Sequence, residues 1–157
     1  MPRLLKIPAH DPHRSHALAA RPSLHRPWAQ AAAPDPTLLG CWRATTIVLH
    51  TADGARLEDR SGRCTLRFKE EQLESTCRTT QGLATTTYQY QIVRSQVYAT
   101  TLAGSTVRTE MARTTREYAY RIEGERLHTA SVPSTTVPDA SATGPRTETD
   151  AIRTACP

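Results

Sequence analysis

The sequence predicts an all-β chain, an antiparallel barrel or sandwich of about eight short strands. Three observations carry this. From Leu38 to about Pro133 the chain is rich in Thr, Val, Ile and Tyr and alternates with period two, the pattern of a pleated surface with one buried face. These runs recur at short spacing, broken by turn residues, while helix signals are absent. The length of 157 residues suits one domain.

The chain up to residue 36 stands apart. It holds Pro2, Pro8, Pro12, Pro22, Pro27, Pro34 and Pro36, a density that prevents a continuous helix or a central strand, so residues 1–36 are expected to be disordered or leader-like. Arg3 and Lys6 fit the start of a secretory signal and Ala29-Gln30-Ala31 its end, but the apolar run between them is missing. As written this is no competent leader, which leaves a wrongly assigned start or a cytosolic protein as alternatives. Leu38-Leu39-Gly40-Cys41 has the form of a lipoprotein processing box, again without the apolar run before it. His10, His13 and His16 would converge on a metal only as a helix, and Pro12 interrupts them, so no metal site is expected.

The same boundary explains the net charge of +5. Residues 1–36 carry five basic and two acidic side chains, whereas residues 37–157 carry 15 against 13 with the signs interleaved. A duplex-binding domain gathers its cations on one face, so no nucleic-acid partner is expected. Nothing approaches the 18 or so consecutive apolar residues of a membrane-spanning helix.

Along residues 37–157, Gly40 to Leu49 reads as the first strand, Arg63 to Phe68 as the second, Leu73 to Thr79 as the third and Ala84 to Arg94 as the fourth. Gln96 to Leu102 is the fifth, Thr106 to Met111 the sixth after an Ala103-Gly104-Ser105 turn, Arg116 to Ile122 the seventh and Leu127 to Val132 the eighth. Thr51 to Ser61 reads as a loop. After Val132 the chain is rich in Ser, Thr and Pro and reads as a loop-like tail, with Ala151 to Cys156 returning as a short strand or pinned end if Cys156 is bonded.

Two hairpins set registers. With Lys69-Glu70-Glu71-Gln72 as a loop, Phe68 faces Leu73, Leu66 faces Ser75 and Cys64 faces Cys77 on one side, while Arg67 meets Glu74 as an ion pair and Thr65 meets Thr76 on the other. With Glu123 to Arg126 as a turn, Ile122 faces Leu127. The first register predicts a Cys64–Cys77 disulfide. Cys41 and Cys156 remain, near the two ends of residues 37–157, as a staple closing a barrel would be. No two cysteines are spaced as zinc ligands, and the even count fits an oxidising compartment, so a periplasmic or secreted protein is expected.

Leu39-Gly40-Cys41-Trp42-Arg43 resembles the strand that opens lipocalin-like (calycin) barrels, and the hairpin from Tyr120 to Leu127 is similar to the closing strands of bacterial lipocalin-like domains. The resemblance covers roughly residues 37–132. It implies a single antiparallel up-and-down barrel of about eight strands, with Trp42 closing the floor beneath an arginine of the last strand, Arg121 or Arg126. The Gly-x-Trp opening and an early disulfide also resemble the small periplasmic metalloprotease inhibitors, which implies that Ala32 to Leu38 forms a trunk entering a protease cleft.

A barrel of eight strands is either filled or holds one small ligand. The inward candidates for a site are Trp42, Tyr88, Tyr90, Tyr118 and Tyr120, whose rings would line a pocket and whose hydroxyls would orient a ligand. No nucleophile elbow, phosphate loop, dinucleotide fingerprint or His-Glu-x-x-His is present, and no catalytic residue or cofactor is expected. The expected function is non-catalytic binding of a small, partly apolar molecule outside the cytoplasm. The alternative is a protein partner, met either as a protease inhibitor or as an accessory subunit of an envelope assembly.

Overall fold

Alternating side chains and tight turns fold the described residues into a meander of nine antiparallel strands. The computed structural model describes residues 32–107, 115–133 and 145–157. Its strands are β1 (Gly40–His50), β2 (Arg56–Asp59), β3 (Cys64–Phe68), β4 (Gln72–Thr79), β5 (Gly82–Arg94), β6 (Val97–Ser105), β7 (Thr115–Glu123), β8 (Arg126–Val132) and β9 (Arg146–Thr154). From β3 to β9 each strand pairs with the next, and β9 returns to pair with β1 from Cys41 to His50. The other edge of β1 is shared, its first half pairing with β3 and its second with β2. Eight strands therefore close an up-and-down barrel, and β2 is an extra strand beside it.

Both hairpin registers are as the sequence predicts. Cys64 faces Cys77, Leu66 faces Ser75, Phe68 faces Leu73 and Ile122 faces Leu127. Both expected disulfides, Cys64–Cys77 and Cys41–Cys156, are formed. Cys41 is thus engaged in a disulfide and not free as a lipidated residue would be. One detail differs. Glu74 faces Arg67 across the ladder, but its carboxylate pairs with Lys69 at the turn.

Four assignments change. The Ala103-Gly104-Ser105 turn is the end of β6, where Gly104 faces Thr87 beside a register shift. A glycine at such a bulge looks like a turn signal in sequence. The sixth strand expected at Thr106–Met111 does not begin there: Thr106 and Val107 are bends, and 108–111 lie outside the described residues. The Thr51–Ser61 loop contains β2, and the tail contains β9, which starts at Arg146 and closes the barrel. The polar run Arg-Thr-Glu-Thr-Asp hid it, although Thr149 is buried. The His10-His13-His16 ladder and the signal-like features lie outside the described residues.

The connections divide the barrel into two ends. At one end β3–β4, β5–β6 and β7–β8 are joined by tight turns, in which Gln96 and Gly124 take positive φ. At the other, β4–β5 is also a tight turn, but β1–β2, β6–β7 and β8–β9 are joined by the longer connections. The core sits at the tight-turn end, where Leu38, Trp42, Phe68, Leu73, Tyr90, Tyr98, Tyr120, Leu127 and Ala151 form one buried cluster.

Candidate functional site

The closed floor is built around Trp42. Its ring is fully buried, and its Nε1 donates to the Leu38 carbonyl at 2.8 Å. The Arg153 guanidinium lies 4.0 Å from the ring centroid, a cation–π contact, and donates to the Thr37 carbonyl at 2.7 Å and the Leu39 carbonyl at 3.0 Å. The arginine over the tryptophan is therefore neither Arg121 nor Arg126. Arg121 is exposed and pairs with Glu123 at 3.2 Å, and Arg126 is exposed. Both belong to the β7–β8 hairpin, whereas the true last strand is β9.

Gly40 makes the clamp possible. Its φ is +112°, and a Cβ there would stand 3.2 Å from Arg153 Nη1. The glycine of the Gly-x-Trp pattern is thus favoured by its backbone angle, and a Cβ there would press on the Arg153 guanidinium.

The segment expected as a projecting trunk is tied to this floor at Asp35 and Leu38, while Ala32, Ala33, Pro36 and Thr37 are exposed. Leu38 is fully buried, Asp35 accepts from the Thr37 N–H at 2.9 Å, and the Tyr120 hydroxyl donates to Asp35 Oδ2 at 2.7 Å. Partial desolvation pushes the Asp35 carboxyl up, but the bonds from Thr37 and Tyr120 outweigh it and hold the group below its ordinary value. The folded body accordingly begins before residue 36.

Of the five candidate site residues, Trp42, Tyr90 and Tyr120 belong to the filled floor. The Tyr90 hydroxyl donates to the Lys69 carbonyl at 2.5 Å, and its ring meets Phe68 edge-on at 5.5 Å. Burial, with Asp35 and Glu70 nearby, pushes Tyr90 up to about 12. Tyr98, not singled out from sequence, is the centre of the cluster, touching Phe68, Tyr90, Tyr118 and Tyr120. It stands alone between Val97 and Ala99, and only the register that sets it opposite Ile92 and Tyr118 reveals its place.

Tyr88 and Tyr118 lie above the floor and are only half-buried. Strand alternation and the registers place Leu66, Ser75, the Cys64–Cys77 disulfide, Ala84, Thr86, Leu102, Arg116 and Ser131 on the same inner face. Of these only Cys64 is buried; the other residues remain partly accessible, unlike the floor. This partly accessible stretch of the inner wall, the cup, is apolar in its leucines and rings, with hydroxyls at Ser75, Thr86, Ser105 and Ser131. Thr86 and Ser105 hydrogen-bond each other at 3.1 Å. Burial pushes the Tyr88 and Tyr118 hydroxyls above their ordinary value, while Arg116 beside both opposes this.

Two clefts lie on the outer wall. One, of about 450 Å³, is lined by Arg121, His128 and Asp150, with His128 Nδ1 2.8 Å from Asp150 Oδ1. The other, of about 390 Å³, is lined by Gln72, Gln89 and Thr101. Neither involves Tyr88 or Tyr118. Among the described residues no group of three or more His, Cys, Asp or Glu could hold a metal ion, and no helix is long and apolar enough to cross a membrane.

No family model and no curated protein sequence matches the chain. Among solved structures, a lipocalin-like protein from Bacteroides uniformis ATCC 8492 is similar at 13% identity and a TM-score of 0.49, over 74% of this chain and 98% of that one. An uncharacterized protein from Bacteroides eggerthii DSM 20697 is similar at 9% identity and a TM-score of 0.47, with the same shares. The barrel assignment rests on the strand pairing itself.

Proposed function

We propose that this protein is a non-catalytic binding protein of the periplasm or the extracellular space that takes a small, partly apolar molecule into the cup. The observation that carries the reading is the contrast along the inner wall. The floor is filled and sealed by Trp42, Arg153 and Leu38, while the wall above it, from Leu66 to Tyr88, Leu102 and Tyr118, stays partly accessible. A concave, largely apolar surface with a few fixed hydroxyls is the usual form of a small-molecule site. Two disulfides support a place outside the reducing cytoplasm. The protease-inhibitor alternative needs Ala32 to Leu38 free to enter a cleft, and the burial of Leu38 weighs against it.

The test is titration with the neutral fluorophore N-phenyl-1-naphthylamine. Saturable one-to-one enhancement is expected for the wild type and for Gln89→Trp on the outer wall, and its loss for Thr86→Trp, which fills the cup. Absence of saturable binding, or equal binding by the filled variant, refutes the reading.

A further inference from the structure

Resting on the cup as the binding site, we propose that its ligand is a rigid molecule amphipathic from side to side, with hydroxyl or carbonyl groups along one edge and hydrocarbon along the other. The observation is how polarity is distributed around the inner wall. At the seam where β9 returns to β1, the inward residues above the floor face each other in two pairs. Thr149 faces Ile47, and one step nearer the open end Thr147 faces Leu49. At both heights the hydroxyl stands on β9 and the aliphatic side chain on β1.

The division continues on either side of that seam. Above the floor the described inner residues of β8 are Thr129, which faces Thr149, and Ser131, and β7 extends the polar sector with the Tyr118 hydroxyl and Arg116. On the other side of β1, β3 presents Leu66 and the Cys64 sulfur of the disulfide. Polarity is therefore divided around the barrel and not graded along its axis. Ser131 is already engaged, since its hydroxyl accepts from the Thr147 N–H at 2.8 Å and donates to the Thr147 carbonyl at 3.1 Å. Thr129 lies against the Tyr98 hydroxyl. Thr147 and Thr149 form no side-chain hydroxyl bond among the described residues, and neither oxygen is sealed from solvent. Being two residues apart on one strand, they stand about 6.8 Å apart along it.

A ligand entering the cup displaces the water that meets these two hydroxyls. A ligand apolar on every side leaves both unpaired in a drier site, which lowers its affinity. A ligand polar at one end only pairs with one of them, because both heights along β9 carry a hydroxyl. A ligand with polar groups along one edge replaces the displaced water at both. Its other edge then covers Ile47, Leu49 and Leu66, which are partly accessible and gain from contact with hydrocarbon.

The experiment displaces N-phenyl-1-naphthylamine with 2,7-dihydroxynaphthalene, whose hydroxyls share one long edge, or with its 2,6 isomer, whose hydroxyls lie on opposite edges. The two diols have one composition, so a difference between them reports where the polar groups sit. The proteins are wild type, Thr147→Val, Thr149→Val and Thr87→Val, the last facing Glu74 on the outer wall. Valine suits a strand as well as threonine does, so the variants should fold, and the wild-type comparison stands without them. The 2,7 isomer should displace the fluorophore from wild type at roughly one-fifth of the concentration of the 2,6 isomer, the worth of one net hydrogen bond. Thr147→Val and Thr149→Val should each lose that preference while still binding the fluorophore, and Thr87→Val should keep it. If the fluorophore binds but wild type does not favour the 2,7 isomer, or the preference survives in both inner-wall variants, the side-to-side assignment is overturned and the cup stands. If the fluorophore does not bind wild type saturably, the cup falls and the assignment with it.

Discussion

The two disulfides close loops of very different length, which ranks their contributions to stability. Cys41–Cys156 links residues 115 apart and Cys64–Cys77 residues 13 apart. In the chain-entropy treatment the first removes about 4.8 kcal/mol of unfolded-state freedom and the second about 2.9 kcal/mol at 25 °C. The perturbation is pairwise replacement by alanine, Cys41→Ala with Cys156→Ala and Cys64→Ala with Cys77→Ala, so that no free thiol is left. Cys41 and Cys64 are both buried, so each variant also loses one packed sulfur, and this cost largely cancels in the comparison. Without its staple β9 still pairs with β1 and β8 along most of its length, so the fold has a route to form. Urea denaturation of the three proteins is the assay. With a slope of about 2 kcal/mol per molar, the long-loop variant should unfold about 1 M of urea before the short-loop one. A variant lacking Cys64–Cys77 that is equally or less stable would refute the reasoning, because the cost would then lie in local strain or packing and not in the freedom of the chain.

The tyrosines give a pH prediction. All five, Tyr88, Tyr90, Tyr98, Tyr118 and Tyr120, are pushed up chiefly by burial, so the folded protein keeps protons that the unfolded chain releases near pH 10. Their contribution is whole below about pH 10 and declines as pH rises above it; absorbance at 295 nm should show tyrosinate near pH 10 only in denaturant, and a native tyrosine titrating there would contradict the burial. Gly40→Ala should cost about 1–3 kcal/mol, since alanine resists a φ of +112° and its Cβ crowds Arg153, whereas Gly124→Ala, at φ +58° with nothing near, should cost less; thermal denaturation that reverses this order would remove the case for the clamp.

What the sequence could and could not show follows from how each element announces itself. The β3–β4 hairpin was legible to the residue because one register satisfied an apolar pair and a cysteine pair together, and no neighbouring register does both. β9 was hidden because its inward residues are Thr147, Thr149 and Ala151, small or polar groups that carry little periodic hydrophobic signal. That one omission moved the expected floor arginine to the wrong hairpin, since the rule about a last-strand arginine was sound and only the last strand was misplaced. The candidate tyrosines were found by alternation along single strands. Alternation assigns a face but not a height along the barrel, so it could not separate Tyr90 and Tyr120 in the floor from Tyr88 and Tyr118 in the cup.

Height along the barrel is also where the low aromatic content acquires meaning. The chain has eight aromatic residues; Trp28 lies outside the described residues, and the other seven lie in or against the core cluster. Rings bury the most area per residue, so placing Trp42, Phe68, Tyr90, Tyr98 and Tyr120 together fills the tight-turn end of the barrel completely. The inner wall beyond them carries mostly serine, threonine, leucine and alanine. Tyr88 and Tyr118 reach partway over this boundary and Arg116 stands above it. A barrel stabilised by its interior alone would spread its large residues over both ends. This one gathers them at the floor and fastens the closing strand with a disulfide from Cys41 to Cys156, so the fold does not depend on large side chains in the wall above the floor.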